Sequence, residues 1–360
     1  MAVVGWDIGG AHLKAARAER SRVIAAVQVA APLRLGLERL REAFAEAKAS
    51  IGPAEHQFVT MTGELADTFT SRAEGVANLS ALAVHELSPS HVMIYAGRVG
   101  FVAAEDVAKH VTDIASANWF ASATILSRTI GSCLFVDVGS TTADIVPIAN
   151  NIVAARGYTD AERLATGELV YTGMVRSALA ATSARVPFAG SWTQLFNENF
   201  ANMADVHRIL GSLPEGADQM TTADGRAKTV AASQARLARI VGCDAGGADA
   251  PVWKALAQYF AEAQIRAITD GAMLVLSQGR LPADAPIVAA GIGVGLVREV
   301  ARRLSRDCVD FATLVDVAPN VRAAGASAAP AVAVAILGSL ARDDAAGTQE
   351  QACQTANATV

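Results

Sequence analysis

The sequence predicts an α/β protein made of two duplicated domains that face a central cleft. Three observations lead there. The stretch WDIGGAHLKAA (Trp6 to Ala16) is echoed by VDVGSTTADIV (Val136 to Val146), and both keep the order strand, Asp, any residue, Gly, small polar turn, strand. The two copies, led by Asp7 and Asp137, stand about one domain length apart. Between and after them, short apolar runs alternate with amphipathic stretches of helical period, the pattern of a sheet with helices packed on it.

Taken in order, Val3 to Ile8, His12 to Ala18 and Val23 to Val29 read as strands, parted by Gly9-Gly10 and the polar run Glu19 to Arg22. Leucines, Phe44 and Ala47 at helical spacing make Gly36 to Ser50 an amphipathic helix. His56 to Met61 is a strand closed by Thr62-Gly63-Glu64. Arg72 to Leu87 is a helix, Val92 to Tyr95 a short buried strand, and Val107 to Ser127 mostly helix. The pattern then restarts with strands at Leu134 to Val138, Ala143 to Ile148 and Ile152 to Ala155. Helices are expected over Gly167 to Ala181, Val252 to Leu276, Gly295 to Ser305 and Ala324 to Leu340, with a strand at Ile287 to Ala290. These elements divide the chain into a first domain at 1–128 and a second at 129–341, which carries a helical insertion at about 183–249. A flexible tail is expected at 342–360.

Composition narrows the class. Hydrophobic residues make up 52% and charged residues 18% of the 360, which excludes a disordered chain and allows a sizeable core. A net charge of -5 without a basic block leaves no electrostatic footprint for nucleic acid or an anionic membrane surface. An aspartate at position 7 interrupts any signal-peptide core, and no apolar run approaches the roughly 20 residues that span a bilayer, so a cytoplasmic, soluble protein is expected. Cys133, Cys243, Cys308 and Cys353 show no paired spacing, and the six histidines show no metal spacing. A homo-oligomer stays open.

The two hairpins carry the chemistry. A phosphate at a tight turn needs backbone N–H groups unobstructed by side chains, which glycine permits, and hydroxyls add donors. Gly9-Gly10 meet the first need, and Gly139-Ser140-Thr141-Thr142 meet both. Asp7 and Asp137, just before the turns, suit Mg²⁺, which commonly takes one or two carboxylates beside water. Lys14 in the next arm offers a point charge to a phosphate, and Asp144 in the equivalent arm is a second metal contact or a base. Gly291, Gly293 and Gly295 read as GxGxG before a helix, serving either a nucleoside contact or close helix–strand packing. Thr166-Gly167-Glu168 either faces the cleft or starts a helix with Thr166 as cap. Asn118-Trp119 either touches an aromatic substrate or packs, and Thr221 to Gly225 is either a solvated loop or a lid.

Together these segments resemble the actin, sugar-kinase and heat-shock ATPase superfamily, whose domains are ribonuclease-H-like. WDIGGAHLKAA, SANWFASA, VDVGSTTADIVPI, ERLATGELVYTGMVRS and NFANMADVHRILG narrow the resemblance to the hydantoinase/oxoprolinase-related family, over residues 1 to about 340. Within it they are similar to the branch of tetrahydromethanopterin-linked one-carbon transfer proteins. His12 departs from the pattern, where a small polar residue is expected. The resemblance implies an alkyl/aryl transferase of methanofuran biosynthesis. Its substrates would be an (aminomethyl)furanmethyl diphosphate and the phenol of γ-glutamyltyramine or a tyrosine analogue, joined as an aryl ether with release of diphosphate. Asp144, Asp137 and Lys14 would do the chemistry, with Asp7 and Asp137 holding Mg²⁺ and no need for ATP. An ATP-dependent small-molecule kinase, an oxoprolinase-like amidase and a nucleotide-gated interaction protein stand as alternatives.

Overall fold

The computed structural model describes residues 2–357, with side chains through residue 343. Two units form: Met1–Ile130 with Phe311–Val360, and Gly131–Asp310. The first unit begins with strands β1 (Ala2–Ile8), β2 (His12–Glu19), β3 (Arg22–Ala30), β4 (His56–Met61), β5 (His91–Tyr95) and β6 (Phe101–Ala103). They form one sheet in the order β3-β2-β1-β4-β5-β6, in which β1 pairs antiparallel with β2 and parallel with β4. Helices α1 (Glu38–Ile51) and α2 (Arg72–Leu87) turn their apolar stripes to a core of Trp6, Phe44, Val59 and Leu79. Trp6 meets Phe44 at 5.1 Å between ring centroids, and its indole N–H donates to Gln57 at 2.8 Å, so no polar atom of the ring is stranded.

The predicted helix over Val107 to Ser127 is broken. It contains α3 (Val111–Ile114), then Ser116 in a left-handed conformation (φ 53°), then α4 (Asn118–Ser127). The break sets Asn118 at the start of a new helix.

The second unit repeats the theme with β7 (Cys133–Val138), β8 (Ala143–Ala149) and β9 (Ile152–Val153). Next come α5 (Asp160–Thr166), β10 (Leu169–Val170), α6 (Leu179–Thr182), and a small hairpin of β11 (Arg185–Phe188) and β12 (Ser191–Gln194). Helices α7 (Met203–Leu210), α8 (Val230–Ile240) and α9 (Ala250–Leu276) lead to β13 (Ile287–Ala290), α10 (Val294–Arg303) and β14 (Cys308–Asp310). The sheet order is β10-β8-β7-β13-β14, with β9 also on β8 and with β7–β13 and β13–β14 parallel. The hairpin-then-parallel order matches β3-β2-β1-β4-β5, so each unit has its own ribonuclease-H-like sheet.

Two expectations are corrected here. The helix predicted over Gly167 to Ala181 is a short strand, a loop and α6. The true helix start lies earlier, where Thr159 and Glu162 form a capping box and Gly167 closes α5 in the left-handed conformation (φ 75°). The insertion at 183–249 is not wholly helical, since it opens with the β11–β12 hairpin. Its helices are tied by charges: Arg236, fully buried, holds Asp205 at 2.7 Å and Asp224 at 3.0 Å. Burial works to raise the Asp224 carboxyl, but the Arg226 N–H, Arg236 and Arg239 outweigh it and hold it below the usual range. The loop Thr221 to Gly225 is therefore pinned through Asp224.

From Phe311 the chain rejoins the first unit, earlier than the expected border near 341, through α11 (Phe311–Leu314), α12 (Arg322–Ser327) and α13 (Ala329–Asn357). The reason is close packing. Gly5 of β1 leaves so little room that a Cβ there would lie 2.2 Å from the Ala331 carbonyl, and one on Gly338 would lie 2.2 Å from the Phe58 ring. Helix α13 thus lies directly on β1 and β4, buried all round from Ala331 to Leu337. Beyond residue 343 the expected tail lies outside the residues whose side chains are described. Among the described residues no single helix is long and apolar enough to cross a membrane. Only the bent pair Pro319–Ser327 and Ala329–Asp343 passes by composition, at 112° to each other.

Candidate functional site

In the first unit the β1–β2 turn gathers five of the predicted residues. Sheet register sets Asp7 opposite Lys14, and Lys14 Nζ lies 4.0 Å from Asp7 Oδ2. Asn118, at the start of α4, donates to Asp7 Oδ1 at 3.4 Å. Gly9 N–H donates to the His12 carbonyl at 2.9 Å, so the backbone of His12 closes the turn whatever its side chain. Gly10 accepts from Leu33 N–H at 3.1 Å. Ser116, whose unusual backbone starts α4, donates from its hydroxyl to the buried Glu64 at 2.8 Å. Glu64 therefore anchors the helix that brings Asn118 to Asp7, a role its turn-like sequence context does not reveal.

In the second unit the same register sets Asp137 opposite Asp144. The cation that Lys14 provides in the first hairpin comes here from elsewhere. Arg163, on α5 and buried, donates from one guanidinium nitrogen to Asp144 Oδ1 at 2.8 Å and to the Glu168 carbonyl at 2.9 Å. Arg163 escapes sequence reasoning, although the capping box just before it places it on a helix.

Thr166, Gly167 and Glu168 stand at a helix end and not at a helix start. The Glu168 carboxylate is buried and accepts from the N–H groups of Arg156 (2.7 Å) and Gly157 (2.8 Å) and from the Thr166 hydroxyl (2.9 Å). Gly167 packs on Leu274 of α9. This group orders the loop around Arg163.

The turn itself has a definite polarity. Gly139 N–H donates to Thr142 O at 2.9 Å and closes it. The Gly139 carbonyl accepts from Met174 N–H (3.0 Å), and the Ser140 carbonyl from Val175 (3.1 Å) and Arg176 (2.8 Å). In a planar trans peptide the C=O and the following N–H point in opposite directions. With both carbonyls turned onto the 174–176 segment, the N–H groups of Ser140 and Thr141 point away from it, as an anion cradle requires. Arg176 also reaches Thr141 Oγ1 at 3.4 Å. Gly173 permits the contact, for a Cβ there would sit 2.5 Å from Thr141 N. Nothing local in the sequence marks Gly173, because its partner lies far away in the chain.

The glycine turn after β13 joins this cluster. Gly291 (φ 82°) lies so close that a Cβ would be 2.3 Å from Asp137 Oδ1 and from the Val138 carbonyl. Gly293 N–H donates to Val138 O at 2.9 Å. Gly295 stands in open space and takes no part. Asp137 and the turn hydroxyls are hard oxygen donors of the kind Mg²⁺ prefers. Among the described residues no group of three or more His, Cys, Asp or Glu could hold a metal alone, so the ion would draw its other ligands from water and phosphate.

Behind the turn runs a buried chain of hydrogen bonds. Gln264 of α9 donates to the Gly173 carbonyl (2.8 Å) and to Thr172 Oγ1 (2.9 Å), which leaves its Oε1 to accept from His207 Nε2 (2.9 Å). His207 Nδ1 then accepts from the Ser212 hydroxyl (2.9 Å). Burial, partly opposed by Gln264, pushes His207 below its ordinary 6.5. A histidine lowered in the fold contributes full stability above its unfolded value and loses it as pH falls, because only the unfolded chain takes the proton. Stability should therefore decline below about pH 6.5, by at most about 1.4 kcal/mol per pH unit from this residue. Urea unfolding at pH 7.5 and 5.5 checks this: His207→Gln should show the smaller difference between the two.

Among the described residues, no cysteine forms a disulfide. Burial raises Cys133 to about 12, and Cys243 and Cys308 are free.

The hydantoinase/oxoprolinase family matches residues 56–324, and the chain belongs to that family. Two curated relatives carry one name, (4-{4-[2-(gamma-L-glutamylamino)ethyl]phenoxymethyl}furan-2-yl)methanamine synthase. The protein of Methanocaldococcus jannaschii is 30% identical over 243 residues, covering 67% of this chain and 72% of that one. The protein of Methanococcus vannielii is 34% identical over 113 residues, covering 31% of this chain and 50% of that one. Among solved structures, a nucleotide-free acetone carboxylase matches with a TM-score of 0.54 at 10% identity, over 92% of this chain and 70% of that one, a likeness of fold alone.

Proposed function

We propose that the chain is a transferase that joins a furanmethyl diphosphate to the phenol of γ-glutamyltyramine, or of a tyrosine analogue, as an aryl ether. The names of the two relatives support the reaction. The observation that carries the site is the polarity of the Gly139–Thr142 turn, with two amides free of the 174–176 segment beside Asp137.

In the proposed step the carbon–oxygen bond to diphosphate breaks, and its electron pair leaves with the diphosphate. The furan's electrons stabilise the positive carbon, and the phenol oxygen attacks it. The amides of Ser140 and Thr141, with the hydroxyls beside them, hold the charge that develops on the departing group. Mg²⁺ held by Asp137 would add neutralising charge there. Asp144, with Oδ1 fixed by Arg163, would take the phenol proton through its other oxygen. In the first unit Lys14, beside Asp7, would offer a cation to an anionic substrate group. The substrates are small molecules, and neither nucleic acid nor a membrane is part of the reading.

The test combines purified protein, Mg²⁺, the furanmethyl diphosphate and γ-glutamyltyramine, with and without ATP, and follows products by mass spectrometry. Ether and diphosphate in equal amounts without ATP is the expected result. Absence of ether, with ATP consumed in the parallel sample, would overturn the reading in favour of a kinase or amidase.

A further inference from the structure

The insertion at about 183–249 reaches the phosphate turn from behind. His207 lies on α7, inside the insertion, and is buried; Gln264 lies on α9 and is fully buried. Through Gln264 the imidazole is linked to the Gly173 carbonyl, and Gly173 is the residue that lies against Ser140 and Thr141. The next three N–H groups, of Met174, Val175 and Arg176, take the carbonyls of Gly139 and Ser140. Gly173 N–H is fixed as well, donating to Ser177 Oγ at 2.8 Å. The segment 172–176 thus acts as a template. Its position decides where the turn's carbonyls point, and so where the opposite amides point. Hydrophobic packing alone would not set that rotation, because apolar contacts lack direction.

We propose that His207 and Gln264 are positioning residues for the phosphate turn, aiming the amides of Ser140 and Thr141 through the 172–176 segment. The proposal rests on the reading of that turn as a phosphate cradle. Neither residue touches a reacting atom; both act through the backbone of Gly173. The insertion therefore contributes to the site without contributing a ligand.

The experiment measures calorimetric binding of inorganic pyrophosphate with Mg²⁺, and amide hydrogen exchange at Met174, Val175 and Arg176, in full-length protein. Wild type is expected to bind. Gln264→Leu and His207→Leu should each weaken binding about tenfold and speed exchange at those three amides. His207→Gln, whose amide N–H still donates to Gln264, should stay within about threefold of wild type. That rescue separates aiming from simple loss of structure. Should Gln264→Leu fail to fold, the His207→Leu and His207→Gln pair carries the comparison. Wild-type binding with unchanged binding and exchange in the leucine variants would overturn the proposal and leave the phosphate reading standing. No pyrophosphate binding by wild type would remove the phosphate reading itself, and the proposal with it.

Discussion

Gly291→Ala is expected to cost about 2–5 kcal/mol of stability and to abolish most of the turnover. Two independent penalties add. An alanine at a positive φ costs about 1–2 kcal/mol, and forcing a methyl into occupied space costs about 1–3 kcal/mol. The occupied space is specific: the methyl would lie 2.3 Å from Asp137 Oδ1 and from the Val138 carbonyl, the latter a backbone atom that cannot swing aside. Even molecules that stay folded would have Asp137 displaced, so activity should fall further than stability accounts for. Urea unfolding and ether formation on the same preparation measure both. A variant with wild-type stability and rate would show that the β13 turn does not bear on Asp137. Gly295→Ala is the control, since a Cβ there meets nothing.

The second large effect is expected at Arg163. Arg163→Met removes one partner of a buried ion pair, a change that costs about 3–5 kcal/mol when the remaining charge has no substitute. The lower end applies here, because Asp144 keeps 18% of its side-chain exposure and so part of its water. The Glu168 carbonyl loses one of two donors at the same time and keeps the Ile145 N–H at 2.8 Å. Urea unfolding of Arg163→Met, Asp144→Asn and the double variant should show the double costing less than the sum, the mark of a direct interaction. Strict additivity would mean that Arg163 acts on the loop around Glu168 and not on Asp144.

Both hairpins were legible in the sequence because their signals are local. Apolar runs end in Asp-x-Gly, and small residues fill the turns, so Ala2–Ile8 and Cys133–Val138 fall close to their expected bounds. The pairing of Asp7 with Lys14 follows from hairpin register alone. Gly167 misled for an equally local reason. A threonine followed by glycine and glutamate reads as a cap, but the stronger signal, Thr159 with Glu162 three residues on, lay just upstream. What stayed hidden depends on distant segments. Gly173 matters because residues 139–141 lie against it, and Glu64 because Ser116 reaches it. Arg236 lies in the insertion, fully buried. Its burial requires Asp205 and Asp224, which no periodicity links.

The close approach of Gly5 to Ala331 and Ala335 has a consequence for the order of synthesis. Residues 131–310 are contiguous, so their unit can gather itself as soon as they emerge from the ribosome. The first strand has no such freedom. Because β1 is made well before α13, the helix that covers it, a face of Phe58 and Gly5 waits uncovered until that helix emerges. That β1 face is thus covered only after the whole of residues 131–310 has emerged. It is where a chaperone would have most to hold.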